Sequence, residues 1–144
     1  MRHPIRFGAV LGAMLFASQS FAAVTVSAPW IRATPPGVSV GAGYGTFAND
    51  GATPRKIVGI ETSAASSAML HSMSHDDGMM QMREVGTLEV PAHGSVALAP
   101  GHGYHLMLMG LKQPLAEGQT VPVTFTFDDG SKLKVDFAVR ATAP

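Results

Sequence analysis

Between His71 and Met109 the chain gathers side chains suited to holding a soft metal ion. Five of its six histidines lie there (His71, His75, His93, His102, His105), with six of its nine methionines (Met73, Met79, Met80, Met82, Met107, Met109) and Met69 just outside. Methionine fills irregular gaps in protein cores. A core has no use for an imidazole beside each thioether cluster, because a buried ring nitrogen demands a hydrogen-bond partner. Imidazole nitrogen and thioether sulfur together form a ligand set that suits Cu(I). There is no Cys anywhere in the chain. That removes thiolate metal sites, thiol redox chemistry and disulfide staples, and leaves His, Met and carboxylate as the available ligands.

Strands must position these donors. In YHLMLM (104–109) Tyr104, Leu106 and Leu108 alternate with His105, Met107 and Met109, so the second set shares one face of a strand. His105 and Met107, two residues apart, then have Cα atoms roughly 6.5–7 Å apart, close enough for both to reach one ion. Met109 continues that face and reads as a neighbour. HSMSHDDGMMQM (71–82) reads as a hairpin turning at Asp77-Gly78, which can bring His71 or Met73 close to Met80 or Met82. One His and one Met from each half make a neutral His2Met2 site that favours a monovalent soft cation over Zn2+ or Ca2+. His75, Met79, Met80 and His102 read as solvated loop donors that can at most supply a weaker site.

The rest of the chain reads as β structure. AVTVSAPWIRAT, GAGYGTFAND, RKIVGIET, LEVPAHGSVALAPG, VPVTFTF and KLKVDFAV are short β-prone runs separated by Gly, Pro, Asn and Asp turns. No segment carries a helical period. This spacing predicts a single all-β domain, a sandwich or barrel, with Trp30 as core or edge packing.

MRHPIR, the apolar run FGAVLGAMLFA and the small residues at Ser20 and Ala22 have the layout of a secretory signal peptide over 1–22, cleaved after Ala22 or Ala23. The run is short of the ~20 residues that span a bilayer, and no Cys follows it for a lipid anchor. Residues 23–144 are then the mature domain. Losing Arg2 and Arg6 leaves eight basic residues against ten acidic ones. Such a balance offers no basic field for nucleic acid or anionic lipid. H-E-x-x-H and Gly-rich phosphate loops are absent from the sequence, so it is not expected to be an enzyme. A blue-copper electron carrier needs a Cys thiolate and is excluded with the cysteines.

The spacing His71, ten residues, Met82, twenty-two residues, His105-x-Met107 resembles the motif of the periplasmic copper chaperones written PCu(A)C. ATPPG at 33–37, YHLMLMGLKQPL at 104–115 and GQTVPVTFTF at 118–127 resemble the same family. The resemblance implies a cupredoxin-like Greek-key β-sandwich or barrel. It implies one Cu(I) per monomer near the rim, on His71, Met82, His105 and Met107. It further implies a soluble periplasmic carrier that gives copper to an acceptor in assembly of the cytochrome c oxidase copper centre, either an oxidase subunit or another copper chaperone. The second copper site that some members hold in a His/Met-rich tail is not expected, because no His or Met follows Met109. The rival readings are a copper-sequestering homeostasis protein with no dedicated oxidase partner and a metal-free β interaction module.

Overall fold

The structure is a computed structural model and describes residues 23–101 and 103–144. The signal-peptide expectation over 1–22, and His102, lie outside the described residues. Ten strands form in chain order: β1 (Val24–Arg32), β2 (Val40–Asn49), β3 (Arg55–Thr62), β4 (Ala65–Asp76), β5 (Met79–Val85), β6 (Leu88–Val90), β7 (Gly94–Leu98), β8 (Gly103–Leu111), β9 (Thr120–Phe127) and β10 (Lys132–Arg140). The all-β expectation holds. No helix among the described residues is long and apolar enough to cross a membrane.

One sheet holds all ten strands, in the order β5-β4-β8-β7-β2-β1-β10-β9-β3-β6, with β8 also paired to β2. It curls until β3 lies against β4 without pairing to it. Alternation divides every strand between two faces. The inner face carries Phe47, Phe125, Phe127 and Phe137, with Leu106 and Leu108 from β8, all fully buried. Phe47 meets Phe125 edge-on at 4.9 Å between centroids, the geometry that the ring quadrupoles favour.

Two local features decide which side chains face outward. Ala28 takes a positive φ of 48°, and the β1–β2 register shifts between Ser27 and Trp30. That bulge swaps the parity of β1: Val24 and Val26 pack on the core before it, Ile31 after it, and Trp30 turns to the outer face. There Trp30 lies opposite Tyr44 with ring centroids 4.8 Å apart. On β2 the residues facing inward beside β8 are glycines. A Cβ added at Gly43 would stand 3.1 Å from both Ile31 and Leu106, so only a glycine lets β2 come this close.

Candidate metal centre

β4 runs antiparallel to β8 in unbroken register from Ala65↔Leu111 to Met73↔Gly103. Two of its rungs carry donors on both strands, His71↔His105 and Met69↔Met107. Leu70, Leu106 and Leu108 hold the inner face, which turns His71, His105, Met69 and Met107 outward. The two imidazoles face each other across the strands, ring centroids 5.7 Å apart and planes at 72°. Directly opposite Cβ atoms lie roughly 4.5–5.5 Å apart and diagonal neighbours about 7–8 Å. His71 therefore has His105 beside it and Met107 on one diagonal.

The other diagonal comes from β5. Asp77 and Gly78 both have positive φ, 50° and 78°, the conformation of a two-residue type I′ turn. This turn fixes the β4–β5 register as His71↔Glu84, Met73↔Met82 and His75↔Met80. Met82 is thus one strand away from His71 on the same face, diagonal to it, and paired with Met73. It is 51% exposed. His75, Met79 and Met80, expected in a loop, instead lie in the strands, because the hairpin is regular up to its turn.

The electrostatics favour a neutral imidazole at His105. His105 is only 5% exposed. Desolvation first, and then the charge of neighbouring His71, hold its pKa below the usual histidine range. Continuing the β2–β8 register one step past Gly43↔Leu106 sets Tyr44 beside His105, so that side of the site is closed by the Trp30–Tyr44 pair. His71 Nδ1 is buried and has no hydrogen-bond partner. A buried ring nitrogen left unsatisfied is costly, and a metal ion is one way to satisfy it. The exposed carboxylate of Glu84 stands across from His71. No group of three His, Asp or Glu able to hold a metal gathers among the described residues.

Of the four ligands expected from sequence, His71, His105 and Met107 come together on β4 and β8, and Met82 stands on β5 to the far side of His71. Met69 was the residue missed. It lies two positions before His71 on the same face, and the alternation that placed His105 and Met107 together would have placed it too.

A family profile described as "Putative lipoprotein LpqE-like" matches residues 24–139. The curated protein "Putative lipoprotein Lxx21020" of Leifsonia xyli subsp. xyli is 41% identical over 118 residues, which cover 81% of this chain and 69% of that one. The chain belongs to the LpqE-like, PCuAC family. Among solved structures, this PCuAC chain is similar to the Cu(I) form of DR1885 from Deinococcus radiodurans, with 35% identity and a TM-score of 0.68 over 90% of this chain and 86% of that one. It is also similar to the apo PCuAC domain of PmoF1, with 27% identity and a TM-score of 0.70 over 83% of this chain and 95% of that one. The fold of this PCuAC protein is cupredoxin-like, as the motif implied.

Proposed function

We propose that this PCuAC protein is an exported, periplasmic Cu(I) chaperone rather than an enzyme. It carries one tightly held Cu(I) per monomer on His71, His105, Met107 and Met82, and delivers it for assembly of the cytochrome c oxidase copper centre. One observation carries the reading: on a surface-facing sheet, two half-buried or buried imidazoles face each other at 5.7 Å, flanked by thioethers, and one of them has an orphaned nitrogen. Soft neutral donors select Cu(I). The Cu(I) form of a similar protein supports the choice of metal. Met82 is the mobile member of the set: it pairs with Met73, so its side chain must swing along the diagonal towards His71 to close the site.

Copper here is cargo, and the donors suit a carrier. Neutral ligands on an open sheet face hold the ion without enclosing it, so an acceptor can approach the same face and exchange ligands one at a time. The name of the Leifsonia relative supports export.

Anaerobic competition titrations with Cu(I) and Zn2+, with stoichiometry read by native mass spectrometry, test the metal. One tight Cu(I) is expected, with Zn2+ far weaker. Equal competition by Zn2+ would overturn the reading. Delivery is tested by mixing the loaded protein with a soluble oxidase copper domain. Transfer to that domain is expected, and copper retained against an apo acceptor of higher affinity would favour sequestration instead.

A further inference from the structure

The donors on the outer face do not end at His71. Two more steps along β4 come Met73 and His75, and opposite them on β5 stand Met82 and Met80. In a two-residue hairpin the rung next to the turn, here Asp76↔Met79, is hydrogen-bonded and the next, His75↔Met80, is not. Met73↔Met82, two residues further on, is again of the non-hydrogen-bonded kind, in which facing side chains stand closest. The four residues mark a rectangle with sides of roughly 5 and 7 Å, so each Cβ is about 4 Å from the line through its centre. An imidazole and three thioethers can all reach a point above that centre.

This face of the hairpin is open to solvent towards its tip, with Met73 half-buried at the inner end. Met80 is 50% exposed, Met82 51%, and His75 is exposed as well. A packing role does not explain thioethers left in water. Asp76 and Asp77 bring negative charge to the same tip without entering the rectangle, because Asp76 points to the opposite face and Asp77 lies in the turn.

We propose that the tip of the β4–β5 hairpin is a second, more exposed Cu(I) site formed by Met73, His75 and Met80, with Met82 in reach of either ion. The inference shares with the proposed function only that a soft monovalent cation is bound. Copper arriving at the tip meets three donors there. Met82 then links it to His71, one step along β4 from Met73, so the ion can move inward by ligand exchange without leaving the face.

The test uses the mature chain, titrated anaerobically with Cu(I) against a chelator of known affinity and counted by native mass spectrometry. Two variants separate the sites: the triple substitution Met73→Leu, His75→Asn, Met80→Leu, and the single substitution His105→Asn. The expected result is two copper ions on the unsubstituted chain, the second held at least tenfold more weakly. The triple variant should keep one ion at unchanged affinity, while His105→Asn should lose the tight ion and keep the tip ion. Titration with Ag(I) should shift the ε-methyl resonance of Met80, a signal that single Met80→Leu removes. A second ion that survives the triple variant, or a single ion throughout with no Met80 shift, overturns the tip site alone. Failure of the unsubstituted chain to bind any Cu(I) overturns the proposed function instead.

Discussion

In the proposed copper site, His105 is the ligand expected to matter most. It is buried, it faces His71, and its depressed pKa keeps it neutral and ready to ligate. The direction of that shift makes two predictions. First, protons compete for His105 only below the ordinary histidine range, so its share of the copper affinity should persist to lower pH than that of a solvated imidazole. Second, the unfolded chain protonates this ring near 6.5 and the folded apo protein only at lower pH. The unfolded state then binds more protons in that window, so apo stability rises with pH through it and falls as pH drops below 6.5. Denaturant melts of the apo protein at pH 7.5 and 5.5 should show this loss, and His105→Asn should flatten it. A loss that survives the substitution would assign the effect to another group. Among copper affinities, His105→Ala and Met107→Ala should cost more than Met82→Ala, since Met73 and Met80 stand beside Met82 and nothing on β8 replaces the strand pair.

At the scale of the element, the hairpin turn sets which donors pair. With φ of 78° at Gly78, any L-residue there is strained by roughly 1–2 kcal/mol. Gly78→Val should therefore loosen the β4–β5 rungs while the curled sheet remains. The expected readout is faster amide exchange confined to 74–82 and a Cu(I) affinity reduced severalfold. Unchanged exchange would mean that β5 is held by something other than its turn. This hairpin, its Asp77-Gly78 turn and the shared face of His105 and Met107 were all legible in the sequence, because each is set by local alternation or local turn chemistry. The rung His71↔His105 was not. It joins residues far apart in the chain, and only the sheet order decides that β4 pairs with β8. Trp30 was half legible: packing was expected, but the outward turn depends on a bulge at Ala28 that no residue type announces.

For the molecule as a whole, the division of the sheet into two faces separates folding from binding. Phe125→Ala opens the middle of the inner face, where Phe47 and Phe137 meet it, and should cost about 3–5 kcal/mol. His71→Ala, Met82→Ala and Met107→Ala touch only the outer face and should leave the circular dichroism spectrum and cooperative unfolding in place. Should Met107→Ala unfold the apo protein, Met107 is packing and the copper site must be redrawn. The same division has a consequence for how the loaded protein melts. A core complete without metal means that the folded apo chain is itself the receptor, and an ion that binds only the native state draws the unfolding equilibrium towards it. Each tenfold excess of free copper over the dissociation constant then adds ~1.4 kcal/mol to the unfolding free energy. The melting temperature should thereby report copper occupancy, with the proposed outer-face donors acting as a thermometer for the ion.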